Sequence, residues 1–108
     1  MGRNSGFIAT DIPGYLTNYT RSQIDVALAA FEDLFDTVKV SMNARRDKSG
    51  WVTCQIKVRL VPSGIWIIQE SRDTTPYAAI ANAAGAIARS LSRQLARLKH
   101  LQPLTTAA

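Results

Sequence analysis

The sequence predicts an α+β domain with the element order β-α-β-β-β-α, in which two helices pack on one face of a four-stranded, mainly antiparallel sheet. Three observations predict this fold. Apolar residues in the segment 19–36 recur with a helical period, residues 38–60 contain two runs of alternating apolar and polar residues, and residues 77–101 are rich in Ala, Leu and Arg. The chain of 108 residues has the length of a single domain. We expect an ordered core over about residues 6–101 and a tail at 102–108.

The first part of the chain predicts an edge strand followed by a helix. The short apolar stretch Gly6–Thr10 has the composition of a strand, and Pro13-Gly14 marks a bend before the helix. The helix is expected from about Tyr19 to Asp36, with one apolar stripe formed by Ile24, Leu28, Phe31 and Phe35. Acidic residues fall on one flank of that stripe and predict a solvated face: Asp25, Glu32 and Asp36.

The middle of the chain predicts a hairpin and a third strand. Apolar residues alternate with polar ones over residues 38–45 and again over residues 52–60, around a turn-like segment at 46–50. This alternation indicates a hairpin with one dry face and one wet, basic face. A turn at Pro62–Gly64 leads into a strand at Ile65–Arg72, whose consecutive apolar residues do not assign a face to Trp66.

The last part of the chain predicts a long helix. Residues 73–75 offer a capping oxygen, Pro76 suits the first helical turn, and the helical composition continues to about Leu101. Its core stripe is Ile80, Ala84, Ile87, Leu91, Leu95 and Leu98. Basic residues cluster on the opposite side of the helix: Arg89, Arg93, Arg97 and His100.

Several functional classes are excluded by the sequence. It has no apolar stretch of the roughly 20 residues that a membrane span needs, and its N-terminal segment does not have the pattern of a signal peptide. The single cysteine, Cys54, provides no internal disulfide or zinc site, and we expect a buried thiol in a cytoplasmic protein. The single histidine, His100, lies near the C-terminus, and no catalytic set of residues accompanies it. We therefore expect no enzyme activity, metal, cofactor or small-molecule substrate.

The distribution of charge indicates a polyanionic partner. The net charge is +5; residues 1–36 contain two basic and five acidic side chains, whereas residues 37–108 contain eleven basic and three acidic ones. Arg89, Arg93 and Arg97 form one helical ridge with steps of about 6 Å, close to the interval between phosphates along a nucleic-acid strand. A second basic group is predicted on the wet sheet face and its connecting turn. The candidate contacts on these two surfaces are Arg89, Arg93, Arg97, Lys99, Lys39, Arg45, Lys57 and Arg59.

Aromatic residues add little to this prediction. A platform that stacks single-stranded bases requires exposed aromatic side chains among the basic ones. We interpret Trp51 as a clasp of the hairpin and Tyr77 as core packing, and we favour a structural role for Trp66 as well.

The chain resembles the short ribosome hibernation promoting factor / ribosome-associated inhibitor family, also described as sigma-54 modulation proteins. The resemblance extends from about Phe7 to His100 and depends on Tyr77-Ala78-Ala79-Ile80, on the leucine-and-arginine run 87–95, and on Phe35-Asp36 before the first hairpin strand. It implies a domain that lodges in the mRNA and tRNA channel of the small ribosomal subunit and contacts 16S rRNA through basic residues. By position, Arg89 matches a family arginine, whereas the lysines usual in the family's first helix are replaced here by Ala27–Asp33.

The sequence therefore predicts a non-enzymatic ribosome-binding stasis factor that is monomeric and has no membrane partner. Two alternatives stay open. The acidic first helix could be the contact surface of a protein-interaction module, or the domain could be a general binder of double-stranded RNA, since that fold also places two helices on one face of a sheet.

Overall fold

The computed structural model of the chain describes residues 6–43, 48 and 50–107, with side chains described as far as Arg97. It confirms the predicted α+β fold and element order. The strands are β1 (Gly6–Thr10), β2 (Phe35–Asn43), β3 (Val52–Leu60) and β4 (Trp66–Asp73), and the helices are α1 (Thr17–Leu28) and α2 (Pro76–Ala107). Short 3-10 segments at Gly14–Leu16 and Ala29–Leu34 flank α1.

The four strands form one sheet in the order β1-β2-β3-β4. The edge strand β1 runs parallel to β2, and both other pairings are antiparallel. Gly64, with a φ of 78°, lies in the turn between β3 and β4, where a positive φ favours glycine. This continuous pairing gives the sheet two faces with separate environments.

One face of the sheet and the two helices enclose the core. The alternation predicted for the hairpin holds, because Val38, Val40 and Met42 of β2 are buried and so are the alternate residues of β3 from Val52 to Val58. From the helices, the core receives Leu16, Ile24, Leu28, Ala79, Ile80, Ala83, Ala84, Ile87 and Leu91. Both helices cover this face, and no helix or strand among the described residues covers the opposite face of the sheet. We call it the open sheet face.

The predicted first helix is too long at its C-terminal end. α1 ends at Leu28, and Phe31 within the following 3-10 segment has the non-helical angles φ −121° and ψ 18°. Phe35 is buried as the first residue of β2, opposite Leu60, and Asp36 follows it in the strand. The spacing of Phe35 from the preceding apolar residues fits a helix, but the residue also fits the start of a strand. The apolar pattern alone therefore placed the end of the helix too late.

The second helix begins as predicted and ends later. Thr75 caps it, since its Oγ1 accepts a hydrogen bond of 3.1 Å from the backbone N–H of Ala78, and Pro76 is the first helical residue. The helix continues to Ala107, through most of the segment 102–108 that was expected to be a tail. Leu, Gln and Ala favour helix up to Gln102, whereas Pro103 lacks the N–H of one helical hydrogen bond, and the helix continues past it. Among the described residues, neither helix is long and apolar enough to cross a membrane.

Candidate nucleic-acid interface

The arginine ridge of α2 lies on the surface of the domain. Arg89, Arg93 and Arg97 are all exposed, while Ile87 and Leu91 of the same helix are fully buried against the sheet. The sequence of α2 contains no Asp or Glu. Within the described part of the chain, Arg89 and Arg97 form no hydrogen bond or ion pair. The ridge therefore presents positive charge to solvent, where guanidinium groups could bind phosphate.

Arg93 is held in place by a short polar chain that joins α2 to β4. Its Nη2 donates a hydrogen bond of 3.1 Å to the Oγ of Ser90, and the Nε2 of Gln69 donates one of 2.8 Å to the same oxygen. Ser90 is buried, so this hydrogen bond ties the guanidinium end of the Arg93 side chain to a fixed point on α2. The middle of the ridge is thus oriented by the sheet. Lys99 and His100 lie beyond the described side chains.

On the open sheet face, two lysines lie directly opposite each other. Lys39 of β2 pairs with Lys57 of β3, and Ile8 and Ile68 complete this cross-strand row on either side. Like charges directly opposite on a sheet destabilise it. Lys57 has no hydrogen bond or ion pair to any residue that the structure describes. An uncompensated lysine pair at this place is a candidate contact for an anionic partner.

Arg59, another of the cations predicted on this face, forms an ion pair within the protein. Its Nε donates a 3.0 Å hydrogen bond to Oδ1 of Asp36, and its Nη2 lies 2.6 Å from Oδ2 of the same carboxylate. The Arg59 guanidinium and then the Thr37 hydroxyl hold the pKa of Asp36 below its ordinary value. This ion pair was not predicted, because the apolar periodicity places Asp36 on a helix. Arg45 lies outside the described residues.

The acidic flank predicted for the first helix is divided between three elements. Asp25 is exposed on α1, Glu32 is exposed in the 3-10 segment, and Asp36 belongs to β2. The flank is therefore not one face of a continuous helix.

The two tryptophans lie with basic residues on the open sheet face. Trp66 stands opposite Arg59, and the Nζ of Lys39 lies 5.0 Å from the centroid of its ring. Trp51 is 39% exposed, and the Cζ of Arg72 lies 5.3 Å from its ring centroid. Trp51 shares strand parity with Lys57, a signal that the sequence offered. The face of Trp66 became visible only with the β3–β4 register.

The prediction that Tyr77 packs in the core is wrong. It is 46% exposed, and its ring packs edge-on against that of Tyr19 of α1, with centroids 5.0 Å apart. The buried stripe of α2 begins two residues later, at Ala79. Tyr77 therefore lies outside this stripe and faces the neighbouring helix α1.

The single cysteine of the chain lies in the core. Cys54 is fully buried, and burial raises the pKa of its thiol to about 12, which keeps it protonated. No group of three His, Cys, Asp or Glu side chains within the described residues could hold a metal ion.

Comparison with known proteins gives two kinds of match. The family model described as "Sigma 54 modulation protein / S30EA ribosomal protein" matches residues 10–99. A ribosomal subunit interface protein from Coxiella burnetii is similar in structure, with a TM-score of 0.71 and 15% sequence identity, over 84% of this chain and 98% of that one. The N-terminal domain of Protein Y from Thermus thermophilus gives a TM-score of 0.65 and 18% identity over the same shares. No curated protein matches the sequence.

Proposed function

Because the chain belongs to the Sigma 54 modulation protein / S30EA ribosomal protein family, we propose that it is a non-enzymatic ribosome-binding stasis factor. In this proposal it occupies the mRNA and tRNA channel of the small subunit, where it inhibits translation or stabilises idle ribosomes. Its mechanism is steric, since a folded body in the channel leaves no room for RNA. It works in the cytoplasm as a monomer and needs no cofactor.

The observation that carries the proposal is the uncompensated positive charge on two surfaces of the domain. The ridge Arg89–Arg97 has no acidic residue on its own helix, and the opposed Lys39 and Lys57 form no ion pair with the described residues. Such charges repel one another in the isolated protein and are relieved by a polyanion. A partner that contacts both surfaces has to surround the domain, which favours an rRNA-lined channel over a duplex lying on one side.

The chemistry of the ridge suits 16S rRNA. Guanidinium groups bind phosphate oxygens with two parallel hydrogen bonds and stay charged at all physiological pH values. Phosphate contacts position a protein without reading base sequence, which is sufficient for a factor that acts by occupying space. Since the lysines usual in the family's first helix are absent here, we expect the rRNA contacts on α2 and on the open sheet face.

The test reverses charge on the ridge. Arg89→Glu and Arg93→Glu, singly and together, should reduce co-sedimentation with small ribosomal subunits in a sucrose gradient, with the double variant the weaker binder. Each replacement substitutes a repulsion from phosphate for an attraction. Unchanged co-sedimentation of a folded double variant would contradict the proposal.

The matched control is Arg21→Glu, which makes the same change in net charge at an exposed arginine of α1. This variant should sediment with ribosomes like the unmodified chain, whereas a loss equal to that of Arg89→Glu would show only a net-charge effect. Equal affinity for any duplex RNA and for ribosomes would favour the double-stranded RNA binder. Binding that instead requires Glu32 and Asp33 would favour a protein-interaction module.

A further inference from the structure

We propose that the open sheet face is a binding site for single-stranded RNA, with Trp66 and Trp51 stacking on bases and Lys57 contacting phosphate. The inference rests on the proposed function for the identity of its partner as RNA, and it adds the kind of RNA and the residues that select it. It differs from the arginine ridge of α2, which suits phosphates in any RNA structure.

The two tryptophans are placed at opposite ends of this face. Trp66 begins β4, and Trp51 directly precedes β3 beside Arg72, which lies near the other end of β4. Arg59, which pairs with Trp66, lies eight positions after Trp51 along the chain, so at roughly 3.3 Å per residue the two tryptophans are about 26 Å apart along the sheet. This span is comparable with the shortest single-strand sites, of about four nucleotides.

Each ring is accompanied by a cation, as base stacking beside a phosphate requires. Lys39 lies 5.0 Å from the Trp66 ring centroid and Arg72 5.3 Å from that of Trp51. A stack with a nucleobase is stronger than an exposed cation–π contact, so a base can take the ring face of Trp66 while Lys39 moves to the adjacent phosphate.

The surface between the rings is suited to a nucleic-acid strand. Lys57 lies between them and has no ion pair among the described residues, while Ile68, beside it on β4, is 51% exposed and offers an apolar contact to a base or sugar. Glu70 also belongs to this face, but it stands in the next row, opposite Gln55, and forms no salt bridge within the described part of the chain. The lysine row therefore keeps its charge.

Other occupants of this face fit less well. A second copy packed face to face would bring the Lys39–Lys57 rows of two molecules together, and like charges at a dry interface are costly. A duplex keeps its bases stacked inside, where flat indole rings on a sheet cannot reach them. Unpaired bases are accessible to these rings.

The experiment uses the intrinsic fluorescence of the full chain, because its two tryptophans both lie on this face. The probes are a single-stranded decamer of uridine and an RNA hairpin with the same number of phosphates in its stem. We expect saturable quenching by the decamer and weaker binding of the hairpin stem. Absent quenching, or tighter binding of the hairpin, would overturn the inference.

Variants then assign the stacking residues. Trp66→Ala should weaken decamer binding by between about five-fold and about one-hundred-fold, as expected for the loss of one stacked base. Fluorescence anisotropy of a labelled decamer measures this loss of affinity, because its signal does not depend on the tryptophan that the variant lacks. Trp66→Phe should restore most of the affinity, and Lys57→Gln should weaken binding with a smaller dependence on salt.

The matched control is Tyr15→Ala, which truncates an aromatic residue that is 69% exposed and lies outside the sheet. It should bind the decamer like the unmodified chain, and a folded Trp66→Ala variant that does the same would overturn the inference.

Ribosome co-sedimentation of the unmodified chain is measured in parallel. If it fails while the decamer quenches, the proposed function fails and the single-strand site stands; the reverse result removes the site alone. Self-association without quenching, seen by light scattering, would assign the face to a second copy.

Discussion

At the scale of single residues, the ion pair of Arg59 with Asp36 reduces the charge that the open sheet face presents. Side-chain accessibilities of 43% and 35% leave both groups in contact with water, so solvent screens the attraction and limits its contribution to stability. The bidentate geometry still fixes the guanidinium plane. Of the cations predicted on this face, Lys57 is therefore better placed than Arg59 to bind a phosphate.

The same ion pair predicts a pH-dependent stability. The pKa of Asp36 is lowered in the folded state, chiefly by the Arg59 guanidinium, so its contribution is complete above the pKa of the unfolded chain. The contribution disappears as pH falls through the lowered folded-state pKa. Asp36→Asn should therefore reduce the free energy of unfolding near neutral pH. In strong acid, well below about pH 4, the carboxyl group is protonated and the substitution should make little difference.

Urea unfolding of Asp36→Asn and of the unmodified chain across this pH range measures the effect. Asp33→Asn, at an exposed residue of the 3-10 segment, is the control and should have little effect on unfolding at any pH. A difference between Asp36→Asn and the unmodified chain that persists undiminished in acid would contradict the assignment to this carboxylate.

At the scale of elements, the strands were more predictable than the helix ends. β1 was predicted from its short apolar stretch and β3 from its alternation with a period of two, and both strands have the predicted bounds. The end of α1 was not, because Phe31 and Phe35 continue a helical spacing although the backbone leaves the helix before them. An apolar residue that can reach the core from a helix or from a strand does not show where the helix ends.

The candidate site divides in the same way. The exposure of the arginine ridge followed from helical periodicity alone, since Arg89 and Arg93 lie opposite Ile87 and Leu91. The contact of Trp66 with Lys39 could not be predicted, because it depends on the registers of two successive strand pairings, β2 with β3 and β3 with β4. Periodicity shows which face a residue takes, and only register shows its neighbours.

The cap of α2 predicts the stability of the element that carries the ridge. Thr75→Ala removes the side-chain oxygen that accepts the Ala78 N–H, and loss of such a cap costs about 1 kcal/mol. The melting temperature should fall by about 5 °C for a domain of this size. Circular dichroism measures it, and Thr75→Ser, which keeps the hydroxyl, should melt close to the unmodified chain. Equal melting of the alanine variant would show that the cap contributes nothing.

At the scale of the whole molecule, the two basic surfaces lie on opposite sides of one core. The helices cover one face of the sheet, so the outer face of α2 and the open sheet face point in opposite directions. Within the described part of the chain, the acidic residues of α1 and of the 3-10 segment form no salt bridge with either surface. A chain with a net charge of only +5 thereby concentrates positive potential where an RNA-lined cleft would contact it.

This arrangement predicts how ribosome binding depends on salt. Each phosphate that a side chain neutralises releases condensed counterions, so the logarithm of the association constant should fall linearly with the logarithm of salt concentration. Replacing Arg89 and Arg93 by Gln removes two such contacts without introducing repulsion, and the slope should become shallower by about 2. Arg21→Gln should leave the slope unchanged, because that arginine lies on α1 and its Cζ is 4.5 Å from the Phe7 ring centroid. Co-sedimentation with small subunits at several salt concentrations gives both slopes. Equal slopes for the double variant and the unmodified chain would mean that the ridge does not contact rRNA, even if its affinity were reduced.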